Sequence, residues 1–206
     1  MNAPRHAPNR YFAFEHDELV IGGKPVTQLA REIGRTPFYA YDRGVLDRRV
    51  AELRAALPQE IQLHYAMKAN PMPALVEHMA RLVDGLDVAS GGELSVALGS
   101  GMNPHEISFA GPAKSAEELG HGVAAGSLIN VESFREIRLL SDAAERTGRP
   151  ARVAVRVNPD FELKSSGMKM GGGPRQFGID AELVPKALAE IADRGLAFEG
   201  FHIFSG

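Results

Sequence analysis

A lysine stands at the end of a strand-like stretch in this sequence. In LHYAMKAN (residues 63–70), Leu63, Tyr65 and Met67 alternate with smaller or polar residues up to Lys68, and an Asn-Pro turn signal follows. Alternation with a period of two is typical of a β-strand with two different faces. Burial lowers the pKa of a lysine and makes its neutral amine a nucleophile. Lys68 is therefore a candidate nucleophile, and a solvated lysine at a strand end is the alternative interpretation.

Further polar residues end or follow apolar stretches of the chain, namely Asp87, Glu93, Arg156, His202 and Ser205. Simpler structural interpretations exist for several of them. Asp87 could start a turn, Glu93 could stabilise a helix N-terminus through the helix dipole, and His202 could be a hydrogen-bonded core histidine. If the preceding strands are parallel, however, their C-terminal ends lie at one edge of the sheet. An amine, two carboxylates, a guanidinium, an imidazole and a hydroxyl would then meet at that edge.

Strand-like segments recur along most of the chain and are separated by helix-like segments. The first five segments repeat roughly every 20 to 23 residues, the length of a strand plus a crossover helix. This alternation predicts an α/β fold with a parallel sheet, and the uniform repeat favours a (β/α)8 TIM-type barrel over an open doubly wound sheet. With about six strands the barrel is incomplete in this chain. The predicted strands are residues 62–67, 85–89, 106–110, 127–131, 151–158 and 197–204.

Local signals place helix starts and one unusual loop. Ser115 with Glu118, and Ser133 with Glu136, have the Ser-x-x-Glu spacing of a reciprocal capping box. The glycine-rich stretch 159–178 is too long for an ordinary connection, which predicts a disordered or a functional loop. The N-terminal part is predicted to contain two short strands and two helices, at residues 11–14, 19–21, 27–33 and 42–57.

Composition narrows the class of protein. The chain has 206 residues, a formal net charge of −3 and no cysteine. It is long enough for a sizeable core, and its scattered basic residues predict neither nucleic-acid nor membrane partners. The absence of cysteine excludes disulfides and thiolate metal sites, and no metal site is predicted. Without a signal peptide or membrane-spanning stretch in the sequence, we expect a cytoplasmic protein that acts on a small molecule.

Several motifs in order resemble a known family. YAMKAN, LDVASGGEL, AGPAKSAEEL, NVES, RVNP, QFGID and FHIFSG resemble the pyridoxal-phosphate-dependent decarboxylases of the alanine-racemase-like fold, which include diaminopimelate, ornithine and arginine decarboxylases. The similarity covers nearly the whole chain from about Tyr11 onward. It implies pyridoxal 5'-phosphate as cofactor and decarboxylation of an amino acid as the reaction.

The resemblance also implies roles for individual residues. Lys68 corresponds to the lysine that binds the cofactor as a Schiff base, and His202 to the imidazole that stacks on the pyridine ring. Arg156 corresponds to an arginine on the cofactor side of the fifth strand, and Ser205 to a hydroxyl at the cofactor phosphate.

Two carboxylates complete the set of site residues that the resemblance implies. Asp87 and Glu93 correspond to acidic residues near the catalytic lysine, where they are expected to pair with its ammonium group when substrate displaces the lysine from the cofactor. The candidate catalytic residues are therefore Lys68, His202, Asp87 and Glu93.

The family's architecture extends beyond this sequence. Residues 1–42 are expected to be an N-terminal extension that contributes to a β-domain, and residues 43–206 a partial (β/α) barrel that binds pyridoxal phosphate. In the family the acid that pairs with the pyridine nitrogen and a C-terminal β-domain lie further along the chain. We therefore expect an N-terminal portion of a longer, homodimeric lyase that is inactive by itself.

Other functions are compatible with the same motifs. A non-catalytic pyridoxal-phosphate-binding barrel would keep Lys68, and an amino-acid racemase would need a second acid or base from outside this sequence. The segment before QFGID differs from that of typical diaminopimelate decarboxylases, and Gln176 stands where their lysine is common. The expected substrate is therefore diaminopimelate-like, or a related, unusual or carrier-bound amino acid of a biosynthetic cluster.

Overall fold

The computed structural model describes residues 11–161 and 176–204. The chain forms two compact units, residues 1–61 and residues 62–206. Most of the predicted glycine-rich loop, and Ser205, lie outside the described residues. Among the helices that are described, none is both long and apolar enough to cross a membrane.

The first unit contains a small antiparallel sheet and two helices. A hairpin joins its first two strands through His16 and Asp17, whose φ angles of 50° and 62° suit a tight turn whose twist matches that of the strands. The carboxylate of Asp42 accepts a hydrogen bond from the Gly44 amide at 2.8 Å and caps the second helix. The elements are β1 (Ala13–Glu15), β2 (Glu18–Ile21), β3 (Lys24–Pro25), α1 (Val26–Ile33) and α2 (Arg43–Ala56).

The second unit alternates strands and helices around a parallel sheet. Its strands are β4 (His64–Ala66), β5 (Gly85–Val88), β6 (Ile107–Phe109), β7 (Leu128–Val131), β8 (Arg152–Asn158), β9 (Ile179–Asp180) and β10 (Ala197–His202). Its helices are α3 (Pro73–Ala80), α4 (Gly91–Gly99), α5 (Ala116–Ala125), α6 (Phe134–Thr147) and α7 (Val184–Asp193). Six strands follow one another in the order β4-β5-β6-β7-β8-β10, all parallel, and the short β9 pairs with the end of β8. The predicted α/β class with about six parallel strands is confirmed.

The sheet of the second unit has one apolar and one polar face. Leu86, Phe109, Ile129 and Val155 are fully buried and belong to the hydrophobic core. Because successive side chains of a strand point to opposite faces, the alternate positions share the other face. That second face carries His64, Asp87, Ser108, Asn130, Arg156 and His202. Polar side chains thus line the face opposite the core.

The helix caps follow the sequence signals with one difference. Ser115 and Glu118 form the predicted reciprocal capping box at the start of α5. Ser133 caps α6 by accepting from the Glu136 amide, but the Glu136 carboxylate accepts from the Glu132 amide at 2.8 Å instead of from Ser133. Glu136 is therefore turned into the interior, where it is 1% exposed.

Candidate active site

Lys68 lies just beyond the strand that the sequence predicts for it. β4 ends at Ala66, and a 3-10 turn, Met67–Ala69, follows. Met67 is buried, which fixes the turn, while Lys68 is exposed. The Lys68 amine lies 5.0 Å from the centre of the Phe204 ring. The amine thus lies at the C-terminal edge of the sheet, in contact with an aromatic ring. The burial that was expected of a nucleophilic lysine is not observed.

Phe204 connects the two ends of the sheet. It follows β10, whereas Lys68 follows β4, and these are the first and last strands of the parallel series. The same ring lies 5.9 Å from the Arg156 guanidinium carbon. The sheet therefore curves enough to bring the ends of β4, β8 and β10 around one aromatic ring.

Asp87 pairs with a histidine that the sequence analysis did not single out. Its Oδ1 lies 3.2 Å from Nδ1 of His64 on the neighbouring strand. The hydrogen bond to Asp87 raises the pKa of His64, against the opposing effect of its partial burial. Within the described part of the chain, Lys68 forms no ion pair with Asp87 or with Glu93.

Glu93 acts at the start of α4. Its Oε2 accepts a hydrogen bond from the Ala89 amide at 2.7 Å, and its own amide donates to Ser90 Oγ at 3.2 Å. These contacts satisfy amide groups that a helix start leaves without partners. The structure thus gives Glu93 a local capping role, which the sequence analysis had named as the simpler interpretation.

Arg156 is the buried cation of the site. It is 6% exposed, and its Nη1 lies 3.0 Å and 3.1 Å from the two carboxylate oxygens of Glu132. The guanidinium carbon also lies 4.9 Å from the centre of the Phe177 ring. A buried guanidinium needs such a counter-charge, because an unpaired one would be strongly destabilising.

His202 lies beside Arg156, since the two residues are register partners on β10 and β8. Burial lowers the pKa of His202, and the positive charge of Arg156 lowers it further. Its Nδ1 is buried and has no hydrogen-bond partner among the described residues. Burial and the neighbouring Arg156 charge both favour the neutral form of the imidazole.

A second buried ion pair lies next to the first. Lys114, 2% exposed, donates to the backbone oxygens of Gly111 and Asn130 at 2.5 Å and 2.9 Å. Its amine is 3.2 Å from Oε1 of Glu136. Burial lowers the pKa of Lys114 and raises that of Glu136, while their mutual attraction opposes both shifts.

Three charged residues of this arrangement, Lys114, Glu132 and Glu136, were not predicted as site residues. Glu132 and Lys114 each follow a strand end, in NVES and AGPAKS, so the same rule that selected Lys68 would have selected them. Glu136 was interpreted only as a helix cap. The structure brings together Lys68 and Arg156 around Phe204, with His202 beside Arg156, and it engages Asp87 and Glu93 in other contacts.

The sequence of this chain is similar to those of a known protein family. Residues 43–206 match the family model described as "Pyridoxal-dependent decarboxylase, pyridoxal binding domain". An L-glutamyl-[BtrI acyl-carrier protein] decarboxylase of Niallia circulans is 35% identical over 88% of this chain and 42% of its own length. A diaminopimelate decarboxylase of Aquifex aeolicus is 37% identical over 96% of this chain and 47% of its own length. The chain thus spans about half the length of these curated relatives.

The fold agrees with that of solved decarboxylases. The crystal structure of diaminopimelate decarboxylase from M. jannaschii in complex with L-lysine superposes with a TM-score of 0.81 at 29% identity, over 96% of this chain and 48% of that one. The expected barrel, present here as its N-terminal portion, is confirmed by this likeness. The chain belongs to the pyridoxal-dependent decarboxylases, and its second unit lies within the match to their pyridoxal-binding domain.

Proposed function

We propose that this chain provides the cofactor-binding part of a pyridoxal-phosphate-dependent amino-acid decarboxylase, with Lys68 as the residue that binds the cofactor. The observation that carries the proposal is the convergence of Lys68 and Arg156 on the Phe204 ring. This convergence supports a single cofactor-binding site at the C-terminal ends of β4, β8 and β10. The family match supports the identity of the cofactor.

The residues of this edge suit the chemistry of pyridoxal phosphate. The cofactor is a flat aromatic aldehyde with a phosphate group. Its site therefore needs an amine to react with the aldehyde, a side chain that can pack against the ring, and positive charge for the phosphate. Lys68 supplies an exposed amine, and His202 supplies a buried nitrogen without a partner among the described residues. Arg156 supplies the positive charge. This set fits the cofactor better than it fits a metal, because two of the three groups are cationic.

Each residue has a role that follows from its surroundings. When bound, the cofactor serves as the electron sink that lets a substrate lose CO₂. His202 presents an uncharged ring at neutral pH, because burial lowers its pKa and favours the neutral imidazole. The Glu132 carboxylate provides the counter-charge that stabilises the Arg156 guanidinium in the interior. Asp87 and His64 form a hydrogen-bonded pair on the polar face of the sheet, and this hydrogen bond raises the pKa of His64.

The substrate is an amino acid, and two kinds are supported by relatives of similar identity. One relative is named for diaminopimelate and another for a carrier-bound L-glutamyl group. A related solved structure contains L-lysine. We propose a diaminopimelate-like amino acid or its carrier-bound counterpart as the substrate class.

Three further properties belong to the same proposal. The active protein is a homodimer in the cytoplasm, as the resemblance to the family implies. Residues 1–42 contribute to a β-domain, in support of which they contain the antiparallel strands β1 to β3. Residues 43–206, the range of the family match, bind the cofactor.

The test is chemical mapping of the lysine that reacts with pyridoxal phosphate. The protein is incubated with the cofactor, reduced with borohydride, digested and analysed by mass spectrometry. Lys186 is a matched control because it is also exposed and contacts an aromatic ring, with its amine 5.3 Å from the centre of Phe134. We expect selective labelling of Lys68, loss of that label in Lys68→Ala, and its retention in Lys186→Ala. Equal labelling of the two lysines would refute the proposal.

A further inference from the structure

The carboxylate of Glu132 contacts three other segments of the chain at the C-terminal edge of the sheet. Glu132 accepts hydrogen bonds from the Gly111 amide at 2.6 Å and from the Gly178 amide at 3.2 Å. Both of its oxygens also lie within hydrogen-bond distance of Arg156. Gly111 follows β6, Gly178 precedes β9 and Arg156 lies near the C-terminal end of β8, while Glu132 itself follows β7. Its side chain is 0% exposed, so all these contacts are desolvated.

We propose that Glu132 is a positioning residue of this site, which holds the Arg156 guanidinium against Phe177 and beside His202. The inference rests on the proposed function only in treating Arg156 and His202 as site residues. The contacts of Glu132 themselves involve only residues of this chain.

The contacts of Arg156 explain why it depends on Glu132. The aromatic contacts, at 4.9 Å to Phe177 and 5.9 Å to Phe204, restrict the guanidinium plane but provide no counter-charge. Within the described part of the chain, the carboxylate that pairs with Arg156 is that of Glu132. A long cationic side chain that loses a buried counter-charge gains by moving its head group to water. Loss of the Glu132 charge should therefore release Arg156 toward the solvent.

Glu132 is itself held in place. The Gly111 and Gly178 amides fix its carboxylate, and the Glu136 carboxylate accepts from its backbone amide. A side chain added at Gly178, where φ is +77°, would come 2.9 Å from the Arg156 carbonyl oxygen. Only a glycine therefore brings this amide so close to Glu132 without strain.

The pKa of His202 distinguishes positioning from a simple effect of charge. The charged groups that act on His202 are Arg156 and Lys114, which lower its pKa, and Glu132 and Asp87, which raise it. If Glu132 acted only through its charge, Glu132→Gln would lower the pKa of His202. If Glu132 holds Arg156 beside His202, the variant also removes the stronger cationic effect. The pKa should then rise, as it should in Arg156→Gln.

The experiment is an NMR titration of the histidine ring protons in the protein without cofactor, with the His202 signal assigned through His202→Gln. We expect Glu132→Gln and Arg156→Gln to shift the pKa of His202 upward, each by up to about one pH unit. Glu199→Gln is the matched control, since it breaks the Arg152–Glu199 pair near the opposite end of β8 and should leave His202 unchanged. Opposite shifts in Glu132→Gln and Arg156→Gln would overturn the inference.

A measurement on the unmodified protein covers the case in which Glu132→Gln does not fold. The nitrogen-15 signals of a guanidinium held by a carboxylate are resolved, because rotation about its Cζ–Nε bond is slow. We expect resolved Nη signals for Arg156, assigned by their loss in Arg156→Lys. A single averaged Nη signal at low temperature would also overturn the inference. Both measurements omit the cofactor, so their failure would leave the Lys68 labelling result intact, and the reverse also holds.

Discussion

The imidazole of His64 and the carboxylate of Asp87 form a pair across the first two parallel strands, with Nδ1 and Oδ1 3.2 Å apart. The hydrogen bond raises the pKa of His64 in the folded protein above its unfolded value. The folded state thus binds the proton more tightly, and protonation stabilises the fold. This stabilisation is fully present below the unfolded pKa, about 6.5, and is lost as the pH rises through the folded pKa.

The His64 pair predicts pH-dependent stability. His64→Gln should lose up to about 1 kcal/mol of unfolding free energy near pH 5.5, as expected of a partly exposed ion pair, and less near pH 8.5. Urea unfolding at the two pH values measures the difference, and Asp87→Asn should abolish the same pH dependence. A loss that is equal at both pH values would show that His64 contributes by packing alone.

A glycine opposite His64 is required by close packing. A methyl group at Gly85 would collide with the His64 ring and would lie 2.5 Å from the Glu106 carbonyl oxygen. Gly85→Ala should therefore lower the unfolding free energy by about 1–3 kcal/mol, the cost of overpacking, and should displace the His64 ring from Asp87. Gly99→Ala is the control, because nothing lies within 4 Å of its added methyl group. Equal thermal stability of the two variants would contradict this account.

The buried pair of Lys114 and Glu136 should be costly to break on one side. Lys114→Met leaves a carboxylate buried without its cation and should lower the unfolding free energy by about 3–5 kcal/mol. The double variant Lys114→Met/Glu136→Gln should lose less than the sum of the single variants, because it removes the charge that lacks a partner. Urea unfolding of the four proteins gives the coupling energy, and strict additivity would mean that the pair does not interact.

An exposed ion pair provides a reference for the buried pair of Lys114 and Glu136. Arg81 and Glu77 form an i,i+4 ion pair with side chains 58% and 60% exposed. Arg81→Met should change the unfolding free energy by less than about 0.5 kcal/mol, because solvent screens the pair. A loss comparable to that of Lys114→Met would mean that burial does not set the cost.

The strands and helices of the second unit were predictable because their patterns are local. The predicted strand 151–158 is observed as Arg152–Asn158, and the capping box of Ser115 and Glu118 forms as expected. The alternation in LHYAMKAN predicted two faces correctly, but the strand ends at Ala66 and a 3-10 turn carries Lys68. Turn type depends on how Met67 packs in the core, which the period of a pattern does not report.

The partners of charged side chains were not predictable in the same way. The resemblance implies that Asp87 and Glu93 pair with the Lys68 ammonium group when substrate displaces the lysine. In the structure Asp87 lies beside His64, two residues before the end of β4, and Glu93 accepts a hydrogen bond from the Ala89 amide. Neither contact was predicted. Arg156 was recognised as a site residue, but its counter-charge Glu132 lies 24 residues away in sequence. Such pairings depend on strand register and burial, which a single sequence does not fix.

The two interpretations of Glu93 make different predictions. As a capping residue, its carboxylate oxygen satisfies the Ala89 amide at 2.7 Å, and a glutamine oxygen can do the same. Glu93→Gln should therefore keep stability and the labelling of Lys68 close to those of the unmodified protein. Glu93→Ala should lose about 1 kcal/mol of unfolding free energy, as expected of a lost cap. Thermal unfolding and borohydride labelling of both variants decide the matter. If Glu93→Gln retains stability but loses Lys68 labelling, the carboxylate charge acts on the lysine and the expected role beside its ammonium group is correct.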